Sequence, residues 1–372
     1  MNLSVIQNII QEFGTPLYVY DATRIKIQYD KLKNAFRHID HKIHYASKAN
    51  ENINILEIMR DLGAGIDAVS PNEVKQALKT GFDKNDIVFT PSCAGFNEIS
   101  FALDNDIRLH VGALEYIPFI LENYPDRAVG LRINPGNSIG GNQKIATAHQ
   151  NSKFGIPYIH LKQILSYVDK GLKIDSLHIH TGSDVKSWKD LARSVDSVFS
   201  FAKHFNNLKY IDLGSGFKVK YKAEDSEIDL ESYAKHIEQK LKDFPYAVSI
   251  KFEPGKFLVS EAGILLTKAN IIKKGFHKTF VGVNSGFHHL IRPMYYDAYH
   301  EIVNISNPDG EIQTYDVVGQ LCEEDTFAYD RTLNEVRVGD ILMIKNTGAY
   351  GYSLSSEYNL RDKPKEIVIG TI

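Results

Sequence analysis

The amino-acid sequence predicts an α/β protein in which a (β/α)8 barrel precedes a mainly antiparallel β domain. Short runs of apolar and β-branched residues recur eight times within roughly 210 residues, and helix-like amphipathic stretches follow most of them. This alternation is typical of βαβ units and a parallel sheet. After about residue 260 the sequence pattern changes: strand-like runs are separated by turns, and long helix-like stretches are few. The first part therefore predicts a barrel, and the second a β domain.

Eight strands with intervening helices fit a closed barrel better than an open sheet. The predicted barrel strands are Lys42–Ala46, Gly65–Val69, Ile87–Thr90, Arg108–Val111, Ala128–Ile133, Ile174–His180, Tyr210–Leu213 and Val248–Phe252. The clearest predicted helices are Asn54–Leu62, Pro71–Lys79, Phe96–Asp104 and Ser187–Phe205. Their apolar residues recur at helical spacing, which predicts one buried face for each helix.

The second domain is predicted from strand-like runs and from turns at 307–310 and 338–340. The predicted strands are Ile264–Ile272, Lys278–Val283, Glu311–Val318 and Asp340–Lys345. Pro16–Tyr20 is also strand-like and precedes the first barrel strand, so we expect it to pair with the second domain. The predicted bounds are residues 22–260 for the barrel and 261–372 for the β domain, with 1–21 joining the latter.

Composition excludes several classes of partner. Hydrophobic residues make up 43% and charged residues 24% of the 372 residues, and the formal net charge is -3. This balance gives no electrostatic reason to expect nucleic acid or an anionic membrane as partner. No apolar run approaches the roughly 20 residues of a membrane helix, and the amino terminus does not read as a signal peptide. Two cysteines, Cys93 and Cys322, fit a reducing compartment. We therefore expect a cytoplasmic protein.

Polar residues and a glycine-rich turn lie at the carboxyl ends of the predicted barrel strands or directly after them. They are Lys48, Asp67, Arg132, His180, Gly214-Ser215-Gly216 and Glu253. Catalytic groups of (β/α)8 barrels sit at the carboxyl ends of the strands, so we expect these residues to converge on one mouth. Taken singly, each has a simpler interpretation: a solvated lysine, a tight turn, an interior histidine or a structural ion pair. Their common placement favours a functional site.

Pyridoxal phosphate (PLP) chemistry explains why these residue types belong together. The cofactor is an electron sink that needs a lysine for its aldehyde, a cradle for its phosphate and an acid beside its pyridine nitrogen. Lys48 follows an apolar strand, and a lysine in such a pocket can lose its proton and form imines. The turn at 214–216 follows the seventh strand, where barrels commonly bind phosphate. Glu253 is the candidate acid, and His180 can stack on the ring.

The segment Cys322-Glu323-Glu324-Asp325 is unusually acidic around a cysteine. It is either a solvated turn or a source of negative charge for a cationic substrate, since carboxylate and ammonium form a charge-assisted pair. Arg292 offers the complementary cation, because guanidinium binds carboxylates bidentately. Cys93 lies outside these motifs and is interpreted as structural.

In order along the chain, several motifs resemble those of one family. The most specific are Tyr45–Asn50, Ser152–Gly155, His180–Ser183, Glu253–Gly255, Leu290–Tyr296, Cys322-Glu323 and Gly348–Gly351. With them the sequence resembles the PLP decarboxylases that combine a barrel with a β domain, a group that includes alanine racemase at greater distance. Within this group it resembles the diaminopimelate decarboxylases over nearly the whole chain. The resemblance implies an alanine racemase-like fold and a homodimer with shared active sites.

The resemblance also implies a role for each matching residue. Lys48 would bind the cofactor aldehyde as a Schiff base, Asp67 and His180 would line the cofactor, and Glu253 would bind the pyridine nitrogen. The phosphate would be held by Ser183, Gly214, Ser215, Gly216, Gly255 and Tyr350. The substrate would be bound by Lys256, Arg292, Tyr296, Glu323 and Tyr350. Cys322 would protonate the carbanion after decarboxylation, from the partner subunit. His180 is counted among the catalytic residues, and no metal is expected.

Two departures from the family pattern concern substrate choice. Lys256 stands where the family has an arginine that helps to bind the distal carboxylate, and the segment after Cys322-Glu323 is one residue short. The first hypothesis is decarboxylation of meso-2,6-diaminopimelate to L-lysine. The second is a sister decarboxylase of ornithine, lysine or a carboxylated polyamine or siderophore precursor. The third is a PLP-binding protein without catalysis, which the presence of Lys48, Glu253 and Cys322 disfavours.

Overall fold

The computed structural model describes residues 2–136 and 148–370, which belong to two compact units. The barrel unit is made of Tyr29–Lys218 and Ser226–Phe257. The sheet unit is made of the chain up to Gln28, the segment Val219–Asp225 and the chain from Leu258 onward. The predicted bounds at residues 22–260 and 261–372 stay a prediction. No described helix has both the length and the apolar character needed to cross a bilayer.

The elements alternate through the first part of the chain and are mainly strands thereafter. The strands are β1 (Leu17–Asp21), β2 (His41–Ala46), β3 (Gly65–Ala68), β4 (Ile87–Phe89), β5 (Arg108–Val111), β6 (Ala128–Asn134), β7 (Ile156–Pro157), β8 (Lys173–His178), β9 (Tyr210–Asp212), β10 (Ser249–Phe252), β11 (Gly263–Lys274), β12 (Thr279–Val283), β13 (Ile302–Asn304), β14 (Ile312–Val318), β15 (Thr326–Asn334), β16 (Ile341–Ile344) and β17 (Lys365–Ile369). The helices are α1 (Leu3–Phe13), α2 (Ala22–Ala35), α3 (Ile53–Asp61), α4 (Pro71–Lys79), α5 (Phe96–Asp104), α6 (Tyr116–Asn123), α7 (Leu161–Asp169), α8 (Trp188–Ala202), α9 (Leu230–Lys242), α10 (Lys256–Val259) and α11 (Arg292–Tyr296).

Eight parallel strands close into a barrel. Their order is β5, β4, β3, β2, β10, β9, β8 and β6, and pairing of β5 with β6 completes the ring. All eight predicted strands are present, which confirms the predicted fold. One difference in strand bounds bears on the site: β8 stops at His178, so His180 lies in the following loop rather than on the strand. The positive φ of Gly182, +139°, shows that the backbone turns there.

Helix α4 illustrates how local sequence sets the elements around the barrel. Ser70 caps its amino terminus by accepting a hydrogen bond from the Glu73 amide at 3.2 Å, and Pro71 occupies the first turn. The Glu73 carboxylate in turn accepts from the Val69 amide at 2.7 Å. This reciprocal arrangement satisfies backbone donors that the helix itself leaves open. Val74 and Ala77 are buried, so one apolar face covers the barrel.

The sheet unit is a mainly antiparallel sheet, as predicted. Its strands run in the order β13, β16, β11, β12, β14 and β15, and β1 lies between β11 and β17. Strand β1 pairs antiparallel with β11 and parallel with β17. Helix α1 covers one face of this sheet, where the residues in contact are Ile6, Ile9, Leu17, Val19, Ile264 and Leu266. Burial of each such side chain contributes about 1.5–3 kcal/mol, so α1 and β1 are integral to the unit.

Candidate active site

Lys48 and Asp67 meet at the carboxyl ends of neighbouring barrel strands. Lys48 lies in a 3-10 turn directly after β2, and the β2–β3 register places Ala46 beside Asp67. The Lys48 Nζ atom is 2.8 Å from Oδ2 of Asp67. The Asp67 side chain is 1% exposed, whereas that of Lys48 is 42% exposed. A buried carboxylate thus holds an accessible amine at the strand ends.

Glu253 follows β10 and is almost completely buried. Its Oε2 atom lies 2.8 Å from Nε2 of His178. Its Oε1 atom is buried and has no hydrogen-bond donor among the described residues, while the buried Asp212 carboxyl lies close enough to interact with the Glu253 carboxyl. Burial, followed by the negative charge of Asp67, raises the pKa of Glu253 to about 8. A cation or an N–H donor brought to Oε1 would offset the cost of burying this carboxylate.

His180 lies beside the glycine-rich turn after β9. Its Nδ1 atom accepts a hydrogen bond from the Ser215 amide at 3.2 Å. Burial, followed by the positive charges of Arg132 and Lys48, lowers the pKa of His180 well below its ordinary value. The imidazole is therefore neutral at pH 7, and because Nδ1 accepts, its proton is on Nε2.

The turn at 214–216 requires glycine because of its backbone and its close contacts. Gly214 and Gly216 have φ values of +60° and +121°. A Cβ atom on Gly214 would lie 2.6 Å from Nδ1 of His180, and one on Gly216 would lie 2.5 Å from the Gly182 carbonyl oxygen. The Gly214 amide already donates to Oδ1 of Asp212 at 2.9 Å. Contacts within the protein therefore fix the conformation of this turn.

Gly255 is constrained in the same way at the end of β10. A Cβ atom there would lie 2.9 Å from the Cβ of Ala49 and 3.1 Å from that of Ala46. The backbone after Glu253 therefore packs directly on the segment that carries Lys48. This packing fixes the distance between Gly255, which follows β10, and the turn after β2 that contains Lys48.

Lys256 forms an ion pair with Asp184, which was not predicted as a site residue from the sequence. Its Nζ atom is 2.6 Å from Oδ1 of Asp184, and the Lys256 side chain is only 8% exposed. Asp184 has a φ of +58° and follows Ser183, which is half-buried in the same loop. The charge of Lys256 is thus matched within the barrel unit.

Arg292 is buried in the sheet unit and has two polar contacts there. Its Nη2 atom donates to the Tyr221 hydroxyl at 3.2 Å, and its Nε atom donates to Nε2 of His300 at 3.3 Å. Burial, followed by the charge of Arg292, lowers the pKa of His300 to about 3. The neutral imidazole can therefore accept from the guanidinium. Tyr296 ends the same short helix, and its half-buried position raises the pKa of its hydroxyl.

Cys322 and Glu323 lie on an exposed loop between β14 and β15 of the sheet unit. The Cys322 amide donates to Oδ1 of Asn359 at 3.4 Å, and the Tyr358 hydroxyl donates to Oε1 of Glu323 at 2.8 Å. A two-point contact with the 358–359 segment therefore holds the loop. Tyr350, in the same unit, is half-buried and has a φ of +56°.

Asp325 differs from the other acidic residues of this segment. Its carboxylate is buried and accepts from the Phe287 amide at 2.6 Å and from the Leu321 amide at 3.1 Å. Glu323 and Glu324 are exposed. The segment is therefore not one acidic cluster: two carboxylates face outward, and the third anchors the loop.

The barrel interior below the strand ends is unusually polar. His110, His178 and Glu253 each offer one potential metal-ligating atom, and these atoms lie within 4.8 Å of one another. Two of them already form the His178–Glu253 hydrogen bond. The absence of a metal stays a prediction. His178 and Asp184 were not selected from the sequence, although the spacing His178-x-His180 and the neighbourhood of Ser183 point to both positions.

The residues present fit pyridoxal phosphate. Lys48 supplies an accessible amine, and the buried Oε1 atom of Glu253, which has no hydrogen-bond donor among the described residues, could accept from a protonated ring nitrogen. The predicted residues of the barrel unit are linked through Lys48–Asp67, His180–Ser215 and the packing of Gly255. Those of the sheet unit are Arg292, Tyr296, Cys322, Glu323 and Tyr350.

Comparison with known proteins gives one consistent result. Residues 22–260 match the family described as "Pyridoxal-dependent decarboxylase, pyridoxal binding domain". A diaminopimelate decarboxylase of Methanothermobacter thermautotrophicus is 34% identical over 377 residues, which cover 97% of this chain and 88% of that protein. The diaminopimelate decarboxylase of Escherichia coli K12 is 33% identical over 382 residues, covering 96% and 89%.

A solved structure is similar along the whole chain as well. The crystal structure of diaminopimelate decarboxylase from Helicobacter pylori complexed with L-lysine has a TM-score of 0.91 at 33% identity, and the match covers 98% of this chain and 94% of that chain. Sequence and structure thus agree with the fold and the cofactor that the strand ends predicted. The chain belongs to the diaminopimelate decarboxylase family of pyridoxal-dependent decarboxylases, and it is a carboxy-lyase whose cofactor is pyridoxal 5′-phosphate.

Proposed function

We propose that this enzyme decarboxylates meso-2,6-diaminopimelate to L-lysine and CO2. The observation that carries the proposal is that the barrel unit holds, at its strand ends, both the accessible Lys48 amine and the buried Glu253 carboxyl, whose Oε1 has no hydrogen-bond donor among the described residues. Relatives named diaminopimelate decarboxylase and a similar structure complexed with L-lysine support the choice of substrate.

When bound, pyridoxal phosphate supplies an electron sink for the electron pair that departing CO2 leaves behind. Lys48 carries the amine for the cofactor aldehyde, and Asp67 orients that amine through their 2.8 Å contact. Glu253 would keep a proton at the pyridine nitrogen, and the neutral His180 would line the ring. The phosphate would be held by Ser183, Gly214, Ser215, Gly216, Gly255 and Tyr350.

The sheet unit supplies the residues proposed for substrate binding and proton transfer. Arg292 binds a substrate carboxylate, with Tyr296 and Tyr350 beside it. Glu323 binds the distal amino group, and its exposed carboxylate suits an ammonium partner. Cys322 delivers a proton to the carbon that loses CO2; its thiol is exposed and therefore accessible.

We also propose a homodimer in which Cys322 and Glu323 act in the active site of the partner subunit, and a cytoplasmic location. Support for the dimer is the family resemblance together with the exposure of this loop. Support for a reducing compartment is that both cysteines are free. Mixing the inactive variants Lys48→Arg and Cys322→Ala tests shared sites. If subunits exchange at random, about half of the dimers are mixed and each has one intact site, so about a quarter of all active sites should be functional. No restored activity after subunit exchange would contradict sharing.

A second candidate is favoured by one observation, the Lys256–Asp184 ion pair. In a decarboxylase that binds a distal carboxylate, Lys256 would have to serve both that carboxylate and Asp184, which lies 2.6 Å away. A lysine offers one compact charge, whereas arginine has a planar fork that can serve two acceptors. A substrate without a distal carboxylate, such as ornithine or lysine, would leave the ion pair undisturbed.

Measuring CO2 release from four candidate substrates distinguishes the two proposed functions. meso-Diaminopimelate, L-ornithine, L-lysine and carboxynorspermidine are compared by kcat/KM in the wild type and in Lys256→Arg. We expect meso-diaminopimelate to be the best substrate and Lys256→Arg to change its KM more than its kcat. Turnover of another member without turnover of meso-diaminopimelate would replace the first proposal by the second.

A further inference from the structure

We propose that His178 is a positioning residue for the cofactor: it holds Oε2 of Glu253 so that Oε1 is left for the pyridine nitrogen. The inference rests on the proposed role of Glu253 and extends it to a residue outside the family motifs quoted above. His178 itself touches neither the predicted phosphate turn nor Lys48 by any described hydrogen bond.

The geometry of the pair is specific. His178 is the last residue of β8, and Glu253 follows β10; strand β9 lies between these two strands in the barrel order. Their side chains bridge the interior, with Nε2 of His178 and Oε2 of Glu253 2.8 Å apart. The side chains are 1% and 5% exposed. Such a buried contact fixes the rotamer of the carboxylate, because water is not available to replace it.

The imidazole of His178 is itself held in place. Its ring stacks on that of His110, with centroids 4.8 Å apart and an interplanar angle of 24°. His110 in turn contacts the Thr90 hydroxyl through Nδ1 at 3.0 Å and the Tyr210 hydroxyl through Nε2 at 3.3 Å. A group that orients a functional residue is effective only when its own orientation is fixed. The stack therefore gives Glu253 a rigid support.

Charge explains why a histidine suits this position. Burial, followed by the positive charge of Arg132, lowers the pKa of His178 well below its ordinary value. Asp67 and Lys48 also face this region, with opposite effects on the pKa. A neutral imidazole can donate to the carboxylate without bringing a full positive charge, which would compete with a protonated pyridine nitrogen for Glu253.

The experiment compares two replacements that differ in one property. In His178→Gln the side-chain amide nitrogen takes the place of Nε2, so a donor to Glu253 remains. In His178→Phe the ring and its stacking on His110 remain, but the donor is lost. His204→Phe, an exposed histidine in the same unit, is the control. Each holoenzyme is measured for kcat and KM, for the rate of pyridoxal phosphate release and for the pH titration of cofactor absorbance.

We expect His178→Phe to lower kcat by ~10–100-fold, the range typical when an orienting partner of a functional ligand is removed. KM should change little, cofactor release should become faster, and the absorbance titration should shift because Glu253 no longer holds the ring-nitrogen proton as well. His178→Gln should recover most of each quantity. If the Phe variant does not fold, His178→Asn replaces it, since its shorter amide mimics Nδ1 and cannot reach Glu253.

Two results would overturn the inference. One is wild-type kcat and an unchanged absorbance titration in His178→Phe. The other is an equal loss in the Gln variant and in the donor-free variant, which would mean a role in packing alone. Glu253→Gln separates this failure from that of the proposed function. If that variant retains full activity and cofactor affinity, the role of Glu253 is wrong; if it is impaired while His178→Phe is not, only the role of His178 is wrong.

Discussion

The barrel unit and the sheet unit hold their predicted functional residues in different ways. In the barrel unit the residues follow strands, and buried partners fix them: Asp67 for Lys48 and His178 for Glu253. In the sheet unit Cys322 and Glu323 lie on an exposed loop that is attached through Asn359 and Tyr358. A closed barrel determines where its strand ends meet, whereas a loop depends on a few side-chain contacts. We therefore expect the predicted cofactor residues of the barrel unit to be held more rigidly than Cys322 and Glu323.

The largest expected effect is that of Lys48→Arg. Arginine keeps the charge beside Asp67 but cannot form an imine, so the change separates the ion pair from the chemistry. We expect loss of the visible absorbance of the lysine-linked cofactor and a fall in kcat of more than about 10³-fold, since a covalent nucleophile is among the costliest groups to remove. An active Lys48→Arg enzyme would show that the barrel unit does not supply the essential amine, and it would contradict the role proposed for Lys48.

Cys322→Ala tests whether the exposed loop takes part in the chemistry at all. We expect kcat to fall by ~10²–10⁴-fold, the usual contribution of a group that transfers a proton, while cofactor absorbance stays unchanged. Cys93→Ala is the matched control, because both thiols are free and exposed. Equal activities of the two alanine variants would confine the chemistry to the barrel unit.

Gly216→Ala sharpens the claim that the barrel site is rigid. Gly171→Ala is the control, because Gly171 also has a positive φ, +105°, but its Cβ would meet nothing within 4 Å. The control should lose about 1–2 kcal/mol of stability from backbone strain alone. Gly216→Ala adds a clash with the Gly182 carbonyl oxygen and should be less stable and bind pyridoxal phosphate more weakly. Denaturant unfolding and cofactor titration measure both effects; equal losses would contradict the packing argument.

The smallest effect concerns pH and the buried interior of the sheet unit. The pKa of His300 is about 3 in the folded protein and near 6.5 when unfolded, so the unfolded chain binds one more proton between these values. Its contribution to stability is complete above pH 6.5 and is lost as the pH falls toward 3, by about 1.4 kcal/mol per pH unit for one proton. Urea unfolding at pH 7 and pH 5 should show a smaller pH dependence in His300→Asn than in the wild type.

The sequence predicted the barrel well because its strands are buried, apolar runs between amphipathic helices. Strand Arg108–Val111 and helices Pro71–Lys79 and Phe96–Asp104 have the predicted bounds. Strand β15, Thr326–Asn334, was not predicted, because it lies at an edge of its sheet and its middle residues, including Tyr329 and Asp330, are exposed. An edge strand need not alternate cleanly, and a pattern based on burial does not detect it.

The candidate site was predictable to the extent that a residue lies at the carboxyl end of a strand and its chemistry is recognisable. Lys48, Asp67 and Glu253 meet both conditions. His178 was missed because it is the inward-facing end of an apolar run, where a histidine resembles a packing residue. Asp184 was missed because its partner, Lys256, is distant in sequence and only the folded loop joins them. The role of Asp325 could not be inferred either, since its partners are backbone amides rather than side chains.

The anchor made by Asp325 has a consequence for protein engineering. It closes the base of the Cys322–Glu324 loop by accepting from the amide of Leu321, which precedes the loop, and from the amide of Phe287 in a neighbouring segment. We therefore expect that the loop can be exchanged for that of another decarboxylase while β14 and β15 keep their structure, provided that Asp325 is retained. Gly286 and Gly319 must be retained in the host, because a Cβ atom on either would collide with the Asp325 carboxylate. If Glu323 binds the substrate as proposed, transplanted loops of different length should change the substrate preference and leave the barrel unit unchanged.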